Sequence, residues 1–262
     1  MLILNNEPMF KHTTMKVGGA ADLFIQVADE DELKAALRFA KTMPVMILGN
    51  GSNIIFTDKG FRGCIIHLMT NKIHHENDLL YCDAGVMIED AILYCILNKL
   101  KGIECLTGIP GTIGGAVCMN AGYTKEISTL IHRVRVIDFQ GKYYEFNQDE
   151  LAFGFRKSIF QCKQYIIVEA VMKMQSGDIH AEVMELTERR KKTQPVSYAS
   201  SGTIFKGNGL KAFQGLKCGL AEVRKSYIIN HGWNNAQDVI NLIRTIQGKI
   251  DAQLEVEIIG EE

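Results

Sequence analysis

The chain has 262 residues, 47% of them apolar, which is enough for one large domain or for two or three small ones with buried cores. Its 29 basic and 30 acidic side chains nearly cancel, so no global field attracts nucleic acid or an anionic membrane. No apolar run is long enough to span a bilayer, and the opening residues MLILNNEPMFKHTT lack the basic start, apolar centre and small-residue cleavage site of a targeting segment. The expected setting is the cytoplasm, without membrane insertion and without an obligate protein partner. Seven cysteines, at 64, 82, 95, 105, 118, 162 and 218, form no C-x-x-C pair, which points to reduced thiols and away from a disulfide frame or zinc site. The histidines have no ligand spacing with one another or with cysteine, so no metal is expected.

Alternation over residues 21–27 predicts a strand. Asp29 then caps a helix, with Glu32 completing a capping box and Leu33, Ala36, Leu37 and Ala40 on one face. Pro44 and the apolar run 45–48 predict a second strand. The loop Gly49-Asn50-Gly51-Ser52-Asn53 follows, and Ile54-Ile55-Phe56 is strand again. Residues 79–85 predict a strand ending at Gly85, and 88–100 a strongly apolar helix. The stretch 108–120 reads GIPGTIGGAVCMN. Its glycines and Pro110 make a poor helix or strand but suit a backbone that closely approaches a phosphate-bearing ligand. Residues 134–139 and 142–146 predict a hairpin turning at Gln140-Gly141, and 165–174 a long strand. Gly177-Asp178 opens an amphipathic helix running into the basic cluster 188–192, which reads as a solvated helix end. Asn235 caps a last helix whose buried face is Val239, Ile240, Leu242, Ile243, Ile246 and Ile250, and 254–259 predicts a closing strand. The pattern is α+β, with a composition change near 176.

The two glycine loops narrow the function. One such loop is often only a tight turn; two in one small protein suggest a large nucleotide cofactor. In Rossmann and P-loop sites the glycine loop joins a strand to a helix. Here 49–53 lies between two strands, and neither G-K-[ST] nor G-x-G-x-x-G occurs, so both common nucleotide folds are disfavoured.

Six segments then line up in order: HTTMKVGGAAD at 12–22, LGNGSNIIFTDKGFRG at 48–63, GIPGTIGGAVCMNAG at 108–122, FGFRKSIF at 153–160, ERRKKTQPVSYASSGTIFK at 188–206 and LEVEIIGE at 254–261. In this order the chain resembles the UDP-N-acetylenolpyruvoylglucosamine reductases, the MurB family of flavoenzymes in peptidoglycan precursor synthesis. The resemblance covers nearly the whole chain. It implies an FAD-binding fold of the vanillyl-alcohol-oxidase type, two α+β subdomains at 1–67 and 68–176, followed by a small α+β substrate-binding domain at 177–253. A C-terminal strand, 254–262, carries the active-site glutamate.

The resemblance also implies non-covalent FAD, NADPH as co-substrate and UDP-N-acetylglucosamine enolpyruvate as substrate. By position, Gly49, Asn50, Gly51, Ser52, Asn53 and Ile54 match the family's pyrophosphate loop, and Gly111, Thr112, Gly114 and Gly115 its second FAD loop. Arg156 matches the active-site arginine, whose planar, permanently charged fork suits a carboxylate. Glu255 matches the C-terminal glutamate, and Thr203 stands at the proton-donating serine. Lys206 and Asn208 are expected to bind substrate. Ser201 shares the face of Thr203 on an extended segment and competes for its role, with Ser200 also near.

The chain departs from the family pattern at several points. Threonine replaces serine at 203, Phe155 replaces a tyrosine before the arginine, and Thr193 stands where a lysine is usual. The stretch between Lys206 and Asn230 is short, as in a compact subtype without the additional tyrosine-bearing substrate loop. Two other readings stay open: another FAD-dependent oxidase or dehydrogenase of the same superfamily, and a non-catalytic binding protein on a decayed scaffold.

Overall fold

A computed structural model describes residues 1–207, 209–232 and 235–260. The chain forms two interleaved compact units: Met1–Leu2, Ile25–Gly49 and Ile66–Glu188 make the first, and Ile3–Phe24, Asn50–Ile65 and Arg189–Glu262 the second.

In the first unit, helix α1 (Glu30–Phe39) buries Leu33, Ala36 and Leu37, and the Asp29 carboxylate accepts the Glu32 N–H at 2.8 Å. The expected capping box forms only by half. Glu32 accepts from the N–H of Ala28, at 2.8 Å, one residue ahead of the cap. The expected strand at 45–48 is present as Val45–Leu48. A five-stranded antiparallel sheet runs in the order Tyr143–Asn147, Ile131–Asp138, Tyr165–Lys173, Leu79–Asp83, Ile73–Glu76. The first two strands are the expected hairpin; the Asp138 carboxylate fastens its turn by accepting the N–H groups of Gln140 and Lys142, both at 2.9 Å. Helix α2 (Ile88–Asn98) is shorter than expected: Lys99 turns left-handed at φ 54°, and Leu100–Lys101 leaves to pair with Gln175–Ser176.

Helix α3 (Ile113–Met119) corrects the reading of 108–120 as a stretch that makes a poor helix. Thr112 caps it, and Ile113, Gly114, Ala116 and Val117 are buried, so tertiary packing overrides the weak propensity of its glycines. Helix α4 (His180–Thr193) begins where Asp178 accepts the His180 N–H at 2.8 Å. None of its residues is fully buried, but Val183, Leu186, Thr187 and Arg190 form a half-buried stripe at helical spacing, so the expected amphipathic face is present and only partly covered.

Strands Leu2–Pro8, Ala20–Val27 and Phe61–Leu68, most of whose residues fall in the second unit, lie side by side in that order. Lys217–Cys218, Ala221–Arg224 and Tyr227–Asn230 form a three-stranded antiparallel sheet. Helix α5 (Ala236–Gln247) is capped by the Asn235 side chain, and the Asp58 carboxylate accepts the N–H groups of Ala236 and Gln237 at 2.9 and 3.2 Å. Its face of Val239, Ile240, Leu242, Ile243 and Ile246 joins Met15, Val17, Ile55 and Phe205 in one core, with Ile250 packed at the edge. The closing strand spans only Glu257–Ile259, pairing in parallel with Ile54–Phe56; Leu254 contributes an isolated bridge to Phe205.

Candidate functional site

The two glycine loops meet inside the first unit. A Cβ on Gly49 would lie 2.6 Å from Thr112 Oγ1, so this close approach tolerates only glycine. Thr112 Oγ1 in turn accepts the Gly115 N–H at 3.2 Å. The second loop is held on both sides: Ile88 N–H donates to Gly111 at 3.0 Å, Ile113 N–H to Val86 at 2.8 Å and Gly114 N–H to Ala84 at 2.8 Å. A Cβ on Gly114 would meet Ala84 Cβ at 2.8 Å. These glycines therefore serve the protein's own packing, which fixes the backbone of both loops.

The rest of the first loop belongs to the second unit. Gly51 has φ +60°, a left-handed backbone that favours glycine, and its missing Cβ would stand 2.1 Å from the His12 carbonyl oxygen. Its own carbonyl accepts the Thr14 N–H at 3.2 Å. Asn50 and Ser52 are half-buried. Asn53 Nδ2 donates to the Glu255 carbonyl at 3.2 Å, and the Asn53 carbonyl accepts the Glu257 N–H at 3.0 Å. Ile54 opens the strand that pairs with Glu257–Ile259.

Arg156, in the first unit, sits on a two-residue hairpin tip. Gly154 and Lys157 exchange backbone hydrogen bonds at 3.1 and 3.0 Å, leaving Phe155 and Arg156 as the tip, with Arg156 left-handed at φ 52°. Its guanidinium donates through Nη1 to the Asn120 carbonyl and through Nη2 to the Gly122 carbonyl, each at 3.3 Å. Ser158, buried just beyond, donates to the Cys118 carbonyl at 2.6 Å.

In the second unit, Glu255 N–H donates to the Ile204 carbonyl at 2.8 Å and Lys206 N–H to the Gln253 carbonyl at 2.8 Å. Residues 203–206 and 253–255 thus lie alongside each other, with Asn53 attached to the same backbone. Thr203 and Lys206 are half-buried, whereas Ser201 is 2% exposed. Asn208 lies outside the described residues. Among the described residues no group of acidic, histidine or cysteine side chains could hold a metal ion, and no helix is long and apolar enough to cross a membrane. A surface pocket of about 360 Å³ in the first unit, bordered by Asp29, Glu30, Asp83 and Tyr143, contains none of the expected site residues.

Four buried hydroxyls beside these loops have no hydrogen-bond partner: Thr107 Oγ1 in the first unit, and Thr14 Oγ1, Ser200 Oγ and Ser201 Oγ in the second. An unsatisfied buried group typically costs about 1–3 kcal/mol. Each of these hydroxyls has a hydrogen left to give, which suits a ligand rich in acceptor oxygens, as FAD is. Thr107 and Thr14 were not singled out from sequence. Thr14 lies in the HTTMKVGG segment that carries the resemblance, but a threonine there has no pattern to mark it.

Comparison with known proteins identifies the fold and the family. Residues 21–147 match the model of an FAD binding domain. The structure is similar in fold to 6-hydroxy-D-nicotine oxidase from Arthrobacter nicotinovorans, with a TM-score of 0.51 at 14% identity over 67% of this chain and 42% of that one. The chain is thus an FAD-binding protein with an α+β fold of the vanillyl-alcohol-oxidase type. It is 36% identical to a UDP-N-acetylenolpyruvoylglucosamine reductase of Clostridium tetani over 99% of this chain and 93% of the relative. A namesake from Alkaliphilus oremlandii is 34% identical over 100% and 94%. The crystal structure of UDP-N-acetylenolpyruvylglucosamine reductase (MurB) from Thermus caldophilus superposes with a TM-score of 0.87, at 28% identity, over 98% of this chain and 99% of that one. The chain belongs to the UDP-N-acetylenolpyruvoylglucosamine reductase family.

Proposed function

We propose that this protein reduces the enolpyruvyl group of UDP-N-acetylglucosamine enolpyruvate to give UDP-N-acetylmuramate, with NADPH as electron donor, in the cytoplasm. The observation that carries this reading is the Arg156 hairpin, fastened by two carbonyls to the end of α3 in a chain that matches reductases of this name along nearly its whole length. When bound, FAD supplies a carrier that takes a hydride from the reduced nicotinamide and passes it to the substrate double bond. The protein's own groups manage charge and proton. Arg156 holds the enolpyruvyl carboxylate in its planar fork and stabilises the negative charge that spreads there as an enolate. Glu255 is the second polar group at that carboxylate. The Thr203 hydroxyl gives its proton to the adjacent carbon, so that both carbons of the consumed double bond gain hydrogen. Lys206 and Asn208 bind the UDP-sugar, while Gly49, Asn50, Gly51, Ser52, Asn53, Ile54, Gly111, Thr112, Gly114 and Gly115 help to bind FAD.

Anaerobic absorption spectroscopy tests the proposal. The purified protein is expected to be yellow, to bleach with NADPH, and to regain its colour on addition of the enolpyruvyl UDP-sugar, with a product two hydrogens heavier. Bleaching by an alcohol or sugar instead of NADPH identifies an oxidase or dehydrogenase, and a colourless protein that binds no FAD identifies a non-catalytic scaffold.

A further inference from the structure

The Arg156 guanidinium rests on the main-chain oxygen of Asn120, a residue with no assigned role. Asn120 is fully buried and ends α3 in the left-handed conformation, φ 45° and ψ 53°. Its side chain makes three hydrogen bonds. Nδ2 donates to Glu126 Oε2 at 2.9 Å and to the Gly154 carbonyl at 2.9 Å, and Oδ1 accepts the Ser128 N–H at 3.1 Å. Gly154 is the base of the hairpin that carries Arg156 at its tip. One residue therefore grips the hairpin twice: through its amide at the base and through its carbonyl at the tip's guanidinium.

We infer that Asn120 is the positioning residue for Arg156, fixing the guanidinium relative to the cofactor-loop helix α3. The inference rests on the proposed role of Arg156. An amide is the group this place requires. It must give two hydrogens, to a carboxylate and a carbonyl, and accept one from a backbone N–H; an aspartate of the same shape has no hydrogen to give and repels Glu126. The left-handed backbone narrows the choice further, since asparagine and glycine tolerate it better than other residues.

The test uses the holoenzyme and follows the two half-reactions by anaerobic stopped flow in wild type, Asn120→Gly, Asn120→Asp, Arg156→Ala and the double variant Asn120→Gly/Arg156→Ala. Glycine keeps the backbone conformation and the main-chain carbonyl under Arg156 but deletes the amide's hold on Gly154, Glu126 and Ser128; aspartate keeps the shape and supplies an independent measurement if the glycine variant fails to fold. Displacements on the scale of an ångström cost on the order of 100-fold in reactions that depend on orientation. The expected result is unchanged flavin reduction by NADPH and an unchanged flavin spectrum, with reoxidation by the enolpyruvyl UDP-sugar slowed by roughly that factor. The double variant should be no slower than Arg156→Ala alone, because a residue acting only through Arg156 has nothing left to position. Wild-type reoxidation rates in both Asn120 variants, or a slowing that adds in full to that of Arg156→Ala, overturns the inference while leaving the proposed function standing. Parallel loss of both half-reactions marks a merely structural asparagine and overturns it as well. A wild-type enzyme that the UDP-sugar does not reoxidise overturns both.

Discussion

Gly51 shows how much one hydrogen in place of a side chain can decide. At φ +60° with the His12 carbonyl 2.1 Å from its missing Cβ, Gly51→Val meets a disfavoured backbone and a clash together. Strain of this kind costs on the order of 1–3 kcal/mol. The variant is expected to purify with much of its flavin lost, read from the ratio of flavin to protein absorbance; full occupancy would remove the loop from the cofactor site. Thr203 makes a finer test of proton delivery. Thr203→Val keeps shape and deletes the hydroxyl, so NADPH should still bleach the flavin while product formation slows, and Thr203→Ser should stay active. An active valine variant beside a dead Ser201→Ala would move the donor role to Ser201, whose buried hydroxyl has no protein partner. Arg156, Thr203 and Glu255 can be proposed from sequence because they sit in recognisable segments. Asn120 was not, because its importance lies in hydrogen bonds to Glu126, Ser128 and Gly154 that no local pattern announces.

Elements with a clear period were legible and those without one were not. Helix α5 carries its apolar face at helical spacing, and α1 declares its start with Asp29. The α3 segment has glycines where a helix ordinarily weakens, and its stability comes from the neighbours that bury it. Helix α1 is also tied to the sheet by a charge. Arg135, on strand Ile131–Asp138, binds Glu30 through two nitrogens at 2.9 and 2.6 Å, and the Tyr143 hydroxyl donates to the same carboxylate. Burial pushes the Glu30 pKa up, but the Arg135 and Tyr143 hydrogen bonds and the nearby positive charges outweigh it and hold the pKa below its usual 4.5. A lowered carboxylate pKa stabilises the fold above the unfolded value and loses that contribution as pH falls through the folded value. The stability gap between wild type and Glu30→Gln should therefore be present at neutral pH and shrink as pH drops below about 4.5. For a part-exposed pair the gap is roughly 0.2–1 kcal/mol. Urea titrations across that range check it, and a gap that does not change with pH would detach the effect from ionisation.

At the scale of the whole molecule, contacts between distant residues decide the architecture. Asn53 and Glu255 are 202 positions apart and share a hydrogen bond, so the second unit draws on the first and last parts of the chain alike. A reading along the sequence meets these parts as separate stretches and has no local signal that joins them. The thiols offer a global test. Cys162 is exposed, Cys118 and Cys218 are half-buried, and Cys64, Cys82, Cys95 and Cys105 are buried. Burial pushes the Cys64 and Cys105 thiols up to about 11 and Cys95 up to about 12, and raises Cys82 as well. A thiol reagent at pH 8 needs both access and thiolate, so it should modify Cys162 first and the four buried residues only when the protein opens. Opening is where FAD acts. A ligand held only by the folded state lowers the open population by the factor 1 + [FAD]/Kd, about 100-fold or ~2.7 kcal/mol at a hundred times Kd. Labelling of the buried thiols in apoprotein should slow by that factor on adding FAD, while Cys162 reacts at its former rate. Mass spectrometry of labelled peptides separates Cys64, in the second unit, from Cys82, Cys95 and Cys105 in the first. Protection confined to one set would mean that the other unit opens without releasing the cofactor.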